Sequence, residues 1–350
     1  MHPPAFLLTV ATLCVGACAQ SARQKLLVAV CQSIHATIQY EIETTRFAVS
    51  RWLVFLPELP ELPSQTEVRL TDSVGAKPAA ECSALARPVR FWDHAVAHPV
   101  APSRLPITLE VDAVLWSRRL APLQASDLPP EVTPLSSIEA AFYQAPSRTF
   151  DFQSKAFVKW LEHGGLLRAD NEAPLDLAAR IITVLRSDFA YRFDMLEDKS
   201  VSLVCARAAA DCAGFSYLLI AAMRANRVPA RALIGRLAKP RRSGSGPMEN
   251  AFDQPHVRVE VFIADLGWVP IDPTFAVQNQ RRSVASFIGN DDGDMLVLHV
   301  DPDLQLPFPD QQRIAGSLQV APYYWAYGEG PFDGFFGPTG WDLKSVSAVK

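Results

Sequence analysis

Two regimes of hydrophobic patterning divide the chain. Between Lys25 and about Pro122, apolar positions recur with a period of two. Ile38, Tyr40 and Ile42 share one face of Ala36–Glu43, and Ile107, Leu109, Val111 and Ala113 share one face of Leu105–Leu115. Such alternation marks half-buried strands. Val49–Leu56 is a run of β-branched, aromatic and aliphatic residues, and Glu67–Thr71 reads as another short strand. The prolines of Leu56-Pro57-Glu58-Leu59-Pro60-Glu61-Leu62-Pro63 break the first run, because proline belongs at sheet edges or between strands. Short strands with proline-rich connections predict a β-sandwich over residues 20–122. Residues 123–150, with Pro129, Pro130, Pro134 and Pro146, read as a largely extended connection.

From 151 to 310 the pattern turns helical and then mixed. Gln153–Glu162 carries Phe157, Trp160 and Leu161. Glu172-Ala173-Pro174 opens a clearer helix, with proline tolerated in its first turn. Its apolar face is Leu177, Ala178, Ile181, Ile182, Leu185 and Phe189, and it runs into Tyr191-Arg192-Phe193. A loop is expected from there to Asp211. A second apolar helix then places Phe215, Leu218, Leu219, Ala222 and Met223 on one face, and Pro229 closes it. Val228–Gly235 reads as a strand and the basic, Gly/Ser-rich Lys239–Gly246 as a solvated loop. His256–Ile263 alternates strictly, with Val257, Val259, Val261 and Ile263 on one face and His256, Arg258, Glu260 and Phe262 on the other. That is the pattern of a half-buried antiparallel strand. Gly267 marks a turn into Trp268–Ile271, so the pair forms a hairpin. Asn290-Asp291-Asp292-Gly293-Asp294 reads as an acidic turn. The aromatic tail, residues 311–350, is expected to be irregular and packed on the body.

Three residues in this half carry candidate chemistry. Cys212 opens the second helix, where free N–H groups and the positive dipole end favour a thiolate. Alone, a buried cysteine is more often a core residue. His256 begins one strand of the hairpin and Asp272 ends the other, so the fold makes them neighbours. A helix packed on that sheet brings Cys212 to the same edge. A thiol, an imidazole and an orienting carboxylate are what nucleophilic thiol catalysis needs.

The same residues resemble a family. Asp211-Cys212-Ala213-Gly214-Phe215-Ser216, then Ala222-Met223-Arg224-Ala225-Asn226-Arg227-Val228-Pro229-Ala230-Arg231, look like the core of the transglutaminase-like superfamily. Its bacterial members typically show Gly-x-Cys, a helix and Leu-Arg-Ala-x-Gly-Ile-Pro-Ala-Arg. His256–Val261 followed by Gly267-Trp268-Val269-Pro270-Ile271-Asp272-Pro273-Thr274 resembles its His-x-x-x-Glu-Val … Gly-Trp-x-Pro-x-Asp-Pro-Thr block. The resemblance implies an α+β fold, a papain-like transglutaminase core preceded by an all-β sandwich-like domain. It implies Cys212 as nucleophile, His256 as general base and then acid, and Asp272 as the orienting carboxylate. The chemistry would be acyl transfer on a peptide or protein amide, with release to water or to an amine. Tyr191, Asp211 and Trp268 become candidates for substrate or oxyanion contact, and the Cys212 N–H is an oxyanion donor at a helix start. The chain departs from the pattern at Ala210, at Asn226-Arg227-Val228, and at Arg258, where an aromatic residue is frequent. The last change bears on the substrate wall. A non-catalytic envelope module and a protein cross-linking enzyme are the alternatives.

Composition narrows the partners. The 350 residues carry a net charge of −4 with both signs interspersed, which gives no nucleic-acid footprint. No Cys-x-x-Cys, His-x-x-x-His or Asp-x-Asp-x-Asp-Gly signal points to a metal, and no cofactor is expected. Residues 1–19 lack Lys, Arg, Asp and Glu, and Ala5–Val15 is too short an apolar run to span a bilayer. Two readings stand. One is a secretory signal ending in Ala17-Cys18-Ala19, and the other is a lipobox, Val15-Gly16-Ala17-Cys18, whose Cys18 carries lipid and anchors the protein to a membrane. Both imply a periplasmic or secreted protein, in which Cys31 and Cys82 are the expected disulfide, Cys205 a structural thiol and Cys212 free.

Overall fold

The computed structural model describes residues 24–128, 131–194, 197–238 and 255–347. The candidate leader with Cys18, and the basic segment Lys239–Gly246, lie outside the described residues. In chain order the first strands are β1 (Gln24–Thr44), β2 (Ala48–Pro57), β3 (Gln65–Asp72), β4 (Lys77–Ala80), β5 (Pro88–Ala95) and β6 (Ser103–Pro122). Then come α1 (Ser137–Phe142), α2 (Lys155–His163), α3 (Pro174–Asp188), β7 (Ala190–Tyr191), α4 (Val201–Arg207), β8 (Ala209–Ala210) and α5 (Cys212–Ala225). The chain continues through β9 (Ala230–Leu237), β10 (Pro255–Ile263), β11 (Gly267–Ile271), α6 (Pro273–Gln278) and a 3-10 turn (Val284–Phe287). It ends in β12 (Asn290–Asp291), β13 (Met295–Val300), β14 (Leu304–Pro307), β15 (Gln312–Ala315), β16 (Tyr323–Glu329) and β17 (Phe335–Ser347).

The first strands build two sheets. One runs β12-β6-β1-β17, with β3 also on β6; the other runs β16-β2-β5-β4. The period-two positions face inward. Ile34, Ile38, Tyr40 and Ile42 of β1 share one core with Ile107, Leu109 and Val111 of β6 and with Trp52, Val54 and Leu56 of β2. The aromatic tail is not irregular. Tyr323–Glu329 pairs with β2 and Phe335–Ser347 pairs with β1. Without them both strands would expose unpaired backbone groups along an open edge. Gly328 sits at a register shift in β16. A Cβ there would lie 2.1 Å from the carbonyl oxygen of Ala48, so this glycine marks a bulge with close backbone approach, not a loop.

The second half is a four-stranded antiparallel sheet, β11-β10-β9-β13, with helices on one face. α3 begins with Pro174 in its first turn and buries Leu177, Ala178, Ile181, Ile182 and Leu185, as its periodicity requires. These side chains meet α5 and the inward valines of β10, Val257, Val259 and Val261. α5 is more enclosed than one apolar face implies. It is buried almost all round, including the Arg224 guanidinium, which is the mark of a central helix. Arg224 is tolerated because it donates to Asp301 at 2.6 Å and to the carbonyls of Ala230 and Ala145, and it covers the Phe150 ring at 4.3 Å.

Four expectations need correction. The loop before Asp211 holds α4 and the parallel β7–β8 pair, elements too short to show a period. The proline-rich connection holds α1, started by a capping box between Ser136 and Glu139. β10 is buried on both faces, with His256, Arg258 and Glu260 all covered. Cys31 and Cys82 are both free thiols. Cys31 lies on β1 and donates to the Asp292 carbonyl at 3.1 Å, whereas Cys82 follows β4 in the other sheet.

Replacing Arg224 with Met leaves the Asp301 carboxylate buried without its cation. Removing one partner of a buried pair costs about 3–5 kcal/mol. The urea midpoint of Arg224→Met is expected to fall accordingly, and an unchanged midpoint would refute this account of α5.

Candidate active site

Cys212 is held from three sides. Asp211 caps α5, accepting from the Gly214 N–H at 3.0 Å and from Lys199 Nζ at 2.8 Å. One turn on, Ser216 Oγ donates to the Val257 carbonyl at 2.8 Å, which ties the helix to β10. Thr274 Oγ1, from α6, donates to the Cys212 carbonyl at 3.4 Å. The sulfur itself lies 3.9 Å from the carbonyl oxygen of Pro255, the residue before His256. Gly214 allows this close packing, since a Cβ there would meet the Ala210 Cβ at 2.7 Å.

The thiol does not behave as its helix position predicts. Burial pushes it up to about 12, the Asp211 charge adds to the rise, and the N–H groups of Val257 and Ala213 offset only part of it. Magnitudes explain why. A helix terminus stabilises a charge by about 0.3–1 kcal/mol, rising to ~2 when partly buried. Desolvation of a buried group shifts its pKa by up to about 3–5 units, each worth about 1.4 kcal/mol. The resting sulfur is therefore a neutral thiol.

His256 and Asp272 meet as the hairpin requires. Val259 pairs with Ile271, so Asp272 emerges beside the start of β10. His256 Nε2 lies 2.8 Å from Asp272 Oδ2, and the imidazole stacks on Phe275 with centroids 4.8 Å apart. Asp272 caps α6, its Oδ1 accepting from the Phe275 N–H at 2.9 Å. An ionised carboxylate only accepts, so Nε2 carries the proton and Nδ1 is left to exchange one. Burial alone would raise Asp272, but the charge and hydrogen bond of His256, with the Arg258 guanidinium behind them, hold its carboxyl down at about 2.

The other candidates scatter. Tyr191 is 43% exposed, stacks on Phe215 and stands near enough to Cys212 that their charges interact, after burial, to push its hydroxyl up to about 12. Asp211 is a helix cap. Trp268 lies elsewhere. It pairs with Phe262, ~20 Å along the strand from His256 at about 3.3 Å per residue. Its ring carries the Arg231 guanidinium at 4.0 Å, and Arg231 binds Glu260 across the β9–β10 ladder at 2.7 Å. The Ala-Arg end of the first motif, the Glu of the second and its Trp thus form one structural knot away from the chemistry.

A cavity of about 340 Å³ opens over Cys212. Asp211, Ala213, Tyr217, Lys199, Pro255 and Gln319 are among the residues that line it. Gln319, from the segment after β15, donates to the carbonyls of His256 and Gly235 at 2.9 and 2.6 Å. Nothing in its local pattern points to a role at the site. Arg258, the departure expected to bear on the substrate wall, is not among the residues that line the cavity. Instead it donates to Asp272, Asp291 and Asp294 beneath the imidazole, so the acidic turn is a guanidinium cradle. Among the described residues, no group of three or more His, Cys, Asp or Glu is arranged to hold a metal ion, and no helix is long and apolar enough to cross a membrane.

The segment that bears this geometry, residues 166–273, matches the family model of the transglutaminase-like superfamily. Those residues form a transglutaminase-like core. The whole chain is similar in fold to a protein from Cytophaga hutchinsonii described as a candidate cysteine protease. That match has 12% identity and a TM-score of 0.55, and covers 92% of this chain and 93% of the other. The periplasmic domain of TgpA from Pseudomonas aeruginosa is a looser match, with 13% identity, a TM-score of 0.33, and coverage of 70% of this chain and 92% of that one. No curated protein matches the sequence. The transglutaminase-like core thus lies within the helical half, and an all-β region precedes it.

The depressed Asp272 carboxyl has a consequence for stability. Its folded pKa, about 2, lies below the ordinary value, so the folded state binds fewer protons than the unfolded state between them. The contribution is full above about pH 4 and is lost as pH falls toward 2. Acid titration of the unfolding free energy is expected to show this loss, and Asp272→Asn to fall less steeply over the same window. Identical slopes would count against the pairing.

Proposed function

We propose that the protein is a thiol-dependent acyl transferase acting on amide bonds, with Cys212 as nucleophile, His256 as base and acid, and Asp272 as orienting carboxylate. The observation that carries this reading is the 2.8 Å His256–Asp272 bond, formed next to Pro255, whose carbonyl oxygen lies 3.9 Å from the Cys212 sulfur in a cavity that both Pro255 and Cys212 line. Because the resting thiol is neutral, its proton leaves during attack. His256 Nδ1 takes the proton from the sulfur as the sulfur bonds to the amide carbon. The backbone N–H of Cys212 faces the developing oxyanion. The imidazolium then returns the proton to the departing amine, leaving an acyl-enzyme. Water or a second amine, deprotonated by His256, releases the acyl group and restores the thiol.

The substrate is a peptide or protein amide. A cavity of about 340 Å³ takes one side chain or a short segment and leaves the rest of the substrate outside. Hydrolysis and cross-linking share every step up to the acyl-enzyme and part only in the acceptor. The leader-like residues before Gln20 support an activity outside the cytoplasm. One observation favours a second reading. Cys212 is only 9% exposed, and burial pushes its thiol up, which suits a non-catalytic binding module.

Alkylation of intact protein by iodoacetamide separates the two. The enzyme reading expects Cys212 to react faster than Cys205, whose thiol burial also pushes up to about 12, and to slow when His256→Ala removes the base. On a peptide-amide library, Cys212→Ala is expected to abolish turnover and His256→Ala to lower kcat by on the order of 10³-fold or more. A Cys212 no more reactive than Cys205 would sink the enzyme reading and leave the binding module.

A further inference from the structure

Arg258 has no task in the acyl-transfer scheme, yet it is buried directly against it. Its guanidinium is divided among three carboxylates. Nε donates to Asp272 Oδ2 at 3.2 Å, Nη1 to Asp291 Oδ1 at 2.9 Å and Nη2 to Asp294 Oδ1 at 2.5 Å. The Asp272 oxygen it reaches is the one that His256 meets at 2.8 Å, while the other oxygen is taken by the Phe275 N–H. The carboxylate is therefore fixed at both oxygens, and the shared one is aimed by imidazole and guanidinium together.

The cradle is itself braced. Asp291 accepts from the Gly293 N–H at 3.0 Å and from Arg118 Nη2 at 2.9 Å. Arg118 belongs to β6 of the sandwich, is 1% exposed, and also donates to Glu260 on β10. Asp291 reaches Arg118 from β12, whose pairing with β6 includes the Asp291–Arg118 register pair. A planar fork with five donors suits such a junction, and a lysine ammonium does not.

We propose that Arg258 is a positioning residue for the acyl-transfer reaction: braced by Asp291 and Asp294, it holds Asp272 so that His256 presents its free nitrogen to Cys212. The inference rests on the reading under Proposed function and deepens it. The Arg231–Glu260 pair, which joins β9 to β10, shares no atom with the site, so it is the structural counterpart against which Arg258 is measured.

The test is the pH profile of Cys212 alkylation by iodoacetamide in the intact chain, with folding checked by near-UV circular dichroism. In wild type the reaction is expected to show an acid limb, where the thiol–imidazole pair loses its reactive form. Arg258→Met frees Asp272 and removes a cation, and both changes move that limb to higher pH, by about one unit or more, which is tenfold in rate on the limb. Arg258→Lys keeps the charge but not the fork, and is expected to recover part of the shift. Because Arg258 acts mainly through Asp272, Arg258→Met is expected to add a much smaller shift in an Asp272→Asn background. A folded Arg258→Met with the wild-type limb would overturn the proposal, as would an equal shift in the Asp272→Asn background. Should Arg258→Met not fold, Arg258→Lys, which keeps the charge and loses the fork, is read instead. A smaller upward shift supports the proposal and an unmoved limb overturns it. A wild-type Cys212 no more reactive than Cys205 would defeat the catalytic reading itself, and is told apart because it precedes any variant.

Discussion

The polar face of β10 is the constraint from which the arrangement follows. His256, Arg258 and Glu260 stand on one side of a strand that has no water on either side. Charged groups taken out of water are tolerated only when each finds opposite charge and hydrogen bonds. Apart from Asp272, the cap of α6, the helical layer cannot supply these, because the valines of β10 occupy that face. The partners come instead from β9, from the acidic turn after the 3-10 segment, and from Arg118 of the sandwich. The sandwich is therefore bound to the core by ion pairing as well as by apolar contact such as Leu62 against Leu233, Met295 and Val297.

On the opposite face, α5 lies between the sheet and three other helices. Its nearly complete burial holds Cys212 in place, and the same burial keeps the sulfur protonated. Desolvation and the helix terminus act in opposite directions on one atom, and desolvation is the larger. A base at hand then matters more than the dipole, because a neutral thiol needs an acceptor for its proton at the moment it attacks.

Much of this was legible in order along the chain. The period-two runs at Ile38–Ile42 and Ile107–Ala113 face the sandwich core, and the helical stripe from Leu177 to Leu185 faces α5. Strict alternation in His256–Ile263 put His256, Arg258 and Glu260 on one face, and the hairpin turn made His256 and Asp272 neighbours. Other features left no local trace. α4 and the β7–β8 pair are too short for a period. The tail strands depend on pairing with β1 and β2, which are distant in sequence. Trp268 sits in a motif with Asp272 but meets Arg231, because it lies at the other end of β11, opposite Phe262 and ~20 Å along the strand from His256.

The amino-acid sequence by itself determined the long, strongly periodic strands and helices, which of their side chains share a face, and that a thiol, an imidazole and a carboxylate lie at the ends of adjoining elements. These are consequences of period and turn chemistry, which act over a few residues. Only the tertiary structure decided the solvent around them. It turned a half-exposed strand into a buried one, an acidic turn into a cradle for Arg258, and a thiol at a favourable helix end into a neutral one. Burial and long-range charge pairing are properties of what packs on top, and no local pattern encodes them.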